Sequence, residues 1–298
     1  MKRIVLFLVT NLAVLLVLTI VARLLGLDTY LAERGSSFEG LLVWAALFGF
    51  GGAFVSLAMS KMQAKMFMGV RVIGQSPDPT EQWLLSVVEH HARAVGVGMP
   101  EVGIFDSPEP NAFATGASRN SALVAVSTGL LQRMNRQEIE AVLGHEMTHV
   151  ANGDMVTLTL IQGVVNTFVL FLARVVGNII DRAVFRSEDG RGFASYITFY
   201  VLQIVFGLLA TPIVMWFSRQ REFRADRGGA QLAGTPNMIA ALEDLKRVHQ
   251  PLASRQFAAF GIADGTVASG LRRLFMSHPP LDERIAALRS LGSPLGTH

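Results

Sequence analysis

The sequence predicts a mainly α-helical protein with four transmembrane helices and a water-exposed part that adds a small β-hairpin or sheet. Three observations carry this expectation. Four long apolar runs hold no charged side chain. Only 16% of the 298 residues are charged while 51% are hydrophobic, against roughly a quarter charged in a soluble domain. One block, residues 61–154, carries instead the alternating and capped patterns of a folded unit in water.

The four runs are residues 4–22, 41–60, 155–173 and 194–217. At about 1.5 Å per residue the first reaches roughly 28 Å, close to the hydrocarbon thickness of a bilayer. Lys2 and Arg3 precede it and Arg23 follows, with no small-x-small cleavage site, so it reads as an anchor and not as a signal peptide. Gly49, Gly51 and Gly52 in the second run suit close helix packing. Pro212 in the fourth is placed to kink it. Lys2, Arg3, Lys61, Lys65 and Arg71 put the N-terminus and residues 61–154 in the cytoplasm. The loop 174–193 holds Arg174, Arg182, Arg186 and Arg191, and the charge rule alone would not send it outside.

The expected organisation is therefore residues 1–60 with transmembrane helices 1 and 2, a cytoplasmic catalytic part 61–154, helices 3 and 4 in 155–217, and a second cytoplasmic part 218–298. In the first cytoplasmic part, residues 79–95 are helical, with Trp83, Leu84, Val87 and Val88 on one face and Asp78 or Thr80 as cap. Residues 102–106 form a short strand. Residues 111–118 and 121–127 form a hairpin around Arg119-Asn120. A short helix follows over 128–134. Asn135 with Glu138 then opens a longer helix to about Ala151 in a capping-box pattern. Further helices are expected over 218–232, 236–248 and 280–291, with a loop over 250–270.

Cysteine is absent, which removes disulfides and thiolate chemistry and leaves His, Asp and Glu as metal ligands. The net charge of +3 and the lack of any Lys/Arg run exclude nucleic acid as a partner. The central motif is His145-Glu146-Met147-Thr148-His149. Residues four apart share a helix face, so two imidazoles aim at one point and Glu146 stands beside them as general base. Catalytic zinc takes a third protein ligand and keeps a position open. Glu222 is the candidate ligand, and Asp226, four residues on, is placed to accept the free N–H of His145. The alternative is two exposed acids paired with Arg219, Arg221 or Arg224. Since His149 and Glu222 must meet on one side of the membrane, loop 174–193 faces outward despite its arginines.

Further segments complete a pattern: 110–116, Gly144 with the zinc motif, Asn152-Gly153-Asp154, Glu222-Phe223-Arg224-Ala225-Asp226 and Ser277-His278-Pro279-Pro280. Together they resemble the HtpX-type membrane metalloproteases of bacteria, relatives of the CAAX prenyl proteases and of gluzincins generally. No position that the family uses for catalysis departs from its pattern. The resemblance implies a gluzincin-like domain in the cytoplasm, one Zn2+ per chain, and heat-shock-associated endopeptidase cleavage of misfolded or damaged membrane proteins at the bacterial inner membrane. It also implies an edge strand that includes Asn111 and Ala112 for the substrate, and places His278 near the active site as a donor to the transition-state oxyanion or as a packing residue. Partners are then polypeptides, the lipid bilayer and, as an open alternative, a second copy of the chain. A CAAX-type processing protease would carry more spans. A non-catalytic scaffold would have no use for Glu146. A transporter would place an ionisable group inside the apolar runs, and these have none.

Overall fold

The computed structural model describes residues 37–185, 193–249 and 276–291. The apolar run 4–22 and the expected loop 250–270 lie outside the described residues. In chain order the elements are α1 (Phe38–Phe67), β1 (Arg71–Val72), α2 (Pro79–Val95), β2 (Glu101–Phe105), β3 (Ala112–Ser118), β4 (Ser121–Ser127), α3 (Thr128–Arg133), α4 (Arg136–Asn152), α5 (Asp154–Phe185), α6 (Phe193–Ala233), α7 (Thr235–His249) and α8 (Leu281–Leu291). They divide into two units, Met1–Ser56 with Thr159–Val214, and Leu57–Leu158 with Met215–His298.

The first unit contains the apolar stretches of α1, α5 and α6. Among the described residues, three helices are long and apolar enough to cross a membrane: Phe38–Phe67, Asp154–Asp181 and Ser195–Ala233. Their outer faces carry bare large side chains, with Leu47 at 67% and Leu209 at 69% exposure. Water would penalise each such side chain by about 1.5–3 kcal/mol relative to an apolar surrounding. Inside the unit, Phe38 meets Phe171 edge-on at 5.5 Å. Gly49 lies against the backbone and hydroxyl of Thr167, as its small size allows, whereas Gly51 and Gly52 face open space. Residues 174–185, expected as a loop, continue α5. The helix α6 runs on through Pro212 into the second unit.

The second unit packs helices on a four-stranded mixed sheet of order β1-β2-β4-β3. The expected hairpin is present, with β3 antiparallel to β4, and β4 runs parallel to β2. The two-residue strand β1 is too short to leave a pattern in the sequence. Alternation along β4 serves two layers. Ala122, Val124 and Val126 join the core of α2, α4 and α7, and Leu123 and Ala125 pack with Ala64, Val70 and Phe105. Both faces are covered, so Ala122–Val126 are all buried.

The helix α4 is closed at both ends. Asn135 accepts the Gln137 and Glu138 N–H groups, and Glu138 accepts the Asn135 N–H at 3.0 Å. Gly153 ends it at φ 64°, a conformation that side chains with a Cβ rarely adopt. Ile139, Leu143, Met147 and Val150 bury one face in the core. This leaves His145 and His149 facing α6. Replacing Asn135 by Ala removes the acceptor for two N–H groups and is expected to cost about 1 kcal/mol. The measurement is the thermal midpoint of the protein in detergent, and an unchanged midpoint would show that the box adds no net stability.

Candidate metal centre

The site is built where α4 meets the C-terminal half of α6. His145 and His149 stand with ring centroids 4.7 Å apart. The His145 Nδ1–H donates to Asp226 Oδ1 at 2.9 Å, and the His149 Nδ1–H donates to Asp154 Oδ2 at 2.8 Å. A carboxylate has no proton to give, so both partners assign the proton to Nδ1. Both Nε2 atoms then carry lone pairs, and they face each other at 3.1 Å. Glu222 Oε1 lies 3.3 Å from His149 Nε2, and Glu222 Oε2 lies 3.7 Å from His145 Nε2.

Converging lone pairs repel unless a cation sits among them. Bonds of about 2.0–2.1 Å to a tetrahedral zinc would place donor atoms about 3.3 Å apart, and the three distances bracket that value. His145, His149 and Glu222 form the group that could hold a metal ion among the described residues. The surrounding charge gives an independent reason. The carboxylates of Glu146, Asp154, Glu222 and Asp226 face two buried guanidiniums, Arg221 and Arg284. With neutral imidazoles two negative charges remain, which a divalent ion balances. Burial works to lower the His149 pKa, but the bonds to Asp154 and Glu222 and the charge of Glu146 win and hold it up at about 10. The direction of that shift shows that the cluster favours positive charge at its centre.

Glu146 is partly exposed beside the two histidines. Desolvation pushes its carboxyl above the usual range, the neighbouring imidazoles pull the other way, and the charge of Glu222 adds to the rise. Glu222 and Asp226 are 2% and 1% exposed. They are therefore not the solvent-facing partners of neighbouring arginines that their sequence context also allowed. Their partners come from far along the chain. Arg284 of α8 donates to Asp226 through Nε at 2.8 Å and Nη2 at 2.5 Å, with Nη1 3.4 Å from Glu222 Oε2. The His278 Nδ1–H donates to Glu222 Oε2 at 2.6 Å while 62% of its side chain remains exposed. Arg219 holds the adjoining segment through the Met276 carbonyl at 2.9 Å.

Asn111 precedes β3, donates its backbone N–H to the Ser127 hydroxyl and accepts the Ser127 backbone N–H. Ala112 opens β3, the outer strand of the sheet, which packs against α4. Among the described residues no hydrogen bond joins either to the histidine–carboxylate cluster. His91 is a packing residue, fully buried with its Nε2–H on the Glu140 carbonyl at 3.1 Å.

Three members of the cluster were given no place in the metal centre from the sequence: Asp154, quoted only within a matching segment, Arg221, named only as an ion-pair partner of exposed acids, and Arg284. Arg221 donates from Nη1 to the Asp154 carbonyl at 2.9 Å. An acid just past a glycine helix stop, in Asn152-Gly153-Asp154, was the available signal for Asp154. Arg284 had none, since it sits 58 residues from Asp226.

The comparisons with known proteins agree with this geometry. The profile of Peptidase family M48 matches residues 78–292. The chain is 64% identical over 294 residues to Protease HtpX of Thioalkalivibrio sulfidiphilus, covering 98% of this chain and 99% of that one. It is 61% identical over 291 residues to the Protease HtpX homolog of Thiobacillus denitrificans, covering 98% and 100%. The fold is similar to the crystal structure of S. mikatae Ste24p, with a TM-score of 0.62 at 20% identity over 95% of this chain and 67% of that one. The protein is a metalloprotease that hydrolyses peptide bonds. The chain belongs to peptidase family M48.

Asp226→Asn keeps the shape of the side chain but weakens its hold on His145. Metal affinity is expected to fall by roughly 10–100-fold, as read by competition with a chelator. Wild-type affinity in that variant would show that the Asp226 contact does not orient the ligand.

Proposed function

We propose that this chain is a zinc-dependent endopeptidase of a bacterial inner membrane, with its centre on the cytoplasmic side, and that it cleaves misfolded or damaged membrane proteins. The observation that carries the reading is the convergence of two Nε2 lone pairs and the Glu222 carboxylate beside a partly exposed Glu146. Two imidazoles and one carboxylate are a common catalytic zinc set, which leaves one position open.

When bound, the cation supplies a Lewis acid that polarises a carbonyl and lowers the pKa of a coordinated water to about 7. His145, His149 and Glu222 would hold it, with Asp226 and Asp154 fixing the two rings. Glu146 takes the proton of the attacking water and passes it to the leaving amine. A carboxyl raised by burial suits both halves of that task, because its proton affinity lies nearer neutrality. His278 is the proposed donor to the developing oxyanion. With Nδ1–H on Glu222, that role requires the imidazolium form, whose Nε2–H is uncommitted among the described residues. The free edge of β3, beginning at Ala112, is the proposed resting place of the substrate, held as an added strand through main-chain hydrogen bonds. Main-chain recognition reads little side-chain sequence, which suits substrates defined by loss of structure.

The inner-membrane setting rests on the apolar helices and on chain geometry. Two crossings, α5 and α6, separate His149 from Glu222 in the sequence, and an even number of crossings returns the chain to the side it left. Lys61, Lys65 and Arg71 support the cytoplasm as that side.

Two measurements test this reading. Glu146→Gln is expected to keep its zinc and to lose roughly 10²–10⁴-fold in casein turnover. Near-wild-type turnover at equal zinc content would remove Glu146 from its role. The chain has no native cysteine, so single cysteines at Ser36, Ser107, Ser187 and Ser277 report topology without background. An impermeant thiol reagent on intact cells is expected to label the Ser36 and Ser187 variants only. Labelling at Ser107 or Ser277 would place the catalytic part outside.

A further inference from the structure

Six residues past Glu222, α6 carries Gly228 and Gly229 where it crosses α4. A Cβ on Gly228 would lie closer than 3.0 Å to three side-chain atoms of Thr148, the residue between Met147 and His149. A Cβ on Gly229 would stand 3.0 Å from the His145 backbone nitrogen and 3.1 Å from the Ala141 carbonyl. On the other helix, a Cβ on Gly144 would meet Gly229 Cα at 3.2 Å. The two backbones therefore touch within two turns of every metal-ligand candidate. Thr148 has no room to give way, being 9% exposed with its hydroxyl donating to the Gly144 carbonyl at 2.8 Å.

We propose that Gly228 is a positioning residue of the metal centre: its missing side chain lets α6 approach α4 closely enough for Glu222 to reach the point where His145 and His149 converge. A methyl at position 228 would start 2.1 Å from the Thr148 hydroxyl, so restoring ordinary van der Waals separation of about 3.5–4.0 Å moves the two apart by about 1.4–1.9 Å. Metal–ligand distances tolerate only about 0.2 Å. The same displacement lengthens the 2.9 Å bond between Asp226 and His145. Gly228 thus acts through Glu222 and Asp226 and touches neither substrate nor metal.

The inference rests on the reading of the cluster as a zinc site, and the experiment separates the two. Zinc dissociation constants are measured by chelator competition on full-length protein in detergent, with circular dichroism to establish folding. The proteins are wild type, Gly228→Ala, the control Gly207→Ala on the same helix, which faces open space, and the double variant Gly228→Ala/Thr148→Gly. The folded Gly228→Ala protein is expected to bind zinc roughly 10–100-fold more weakly. Gly207→Ala is expected to bind as wild type does. The double variant, which removes the three Thr148 atoms nearest the added methyl, is expected to recover most of the loss. A residue of purely structural importance would lower the thermal midpoint and leave the zinc affinity of the folded protein unchanged, and that result overturns the proposal. So does a double variant that fails to recover. If Gly228→Ala does not fold, recovery of a folded, zinc-binding double variant supports the proposal and its absence overturns it. Failure of wild type to bind zinc would remove the metal reading itself, and this inference with it.

Discussion

Two imidazole lone pairs held 3.1 Å apart are the constraint on which the rest of the catalytic unit depends. Neither ring is free to turn away, because Asp226 grips one through Nδ1 and Asp154 grips the other. Those two acids are buried, and a buried carboxylate needs compensation. Asp226 finds it in the forked contact of Arg284 from α8, and the Asp154 backbone carbonyl is held by Arg221. The site therefore extends well beyond its three candidate ligands. The last described helix is part of it, although that helix offers no ligand of its own.

The break between α4 and α5 is part of the same device. In one continuous helix, a residue five places after His149 would lie about 140° around the axis and would face away from it. The left-handed turn at Gly153 ends α4 and starts α5 in a new direction. Asp154 can then reach back to the ring it follows. On the partner helix no break occurs, and Glu222 and Asp226 are presented by an uninterrupted α6. One helix thus stops to place Asp154 beside His149 while the other runs on to place two acids one turn apart.

The sequence made local structure legible and distant pairing much less so. The span 79–95 and the Asn135–Glu138 box were readable because helix caps act over three or four residues. The hairpin was readable for the same reason, its turn and alternation being local. The two-residue strand β1 and the parallel pairing of β2 with β4 were not, since they are set by tertiary packing. In the apolar helices, uncharged length located the cores of the runs but not their ends. Residues 174–185 hold charges and still continue α5, burying Asp181. Within the site, the spacing of four in His145 and His149 and in Glu222 and Asp226 pointed to shared helix faces. Arg284 could not be found that way, because its partners are remote in sequence and nothing near it marks a buried guanidinium.

The charge inside the cluster explains why a cation belongs to the structure as well as to the chemistry. Four carboxylates against two guanidiniums would be a costly arrangement if the imidazoles stayed neutral and nothing else entered. The cluster answers by drawing positive charge to His149, whose pKa is held up at about 10 against the opposing effect of burial. A proton on His149 Nε2 and a metal ion need the same lone pair, so the two are alternatives at one centre. The carboxylates that make the proton welcome are the same ones that orient and balance the metal. Glu146 shares that field from its partly exposed position, where desolvation and Glu222 raise its affinity for a proton. The arrangement that favours a cation therefore also raises the proton affinity of Glu146, and both follow from acids gathered around two histidines.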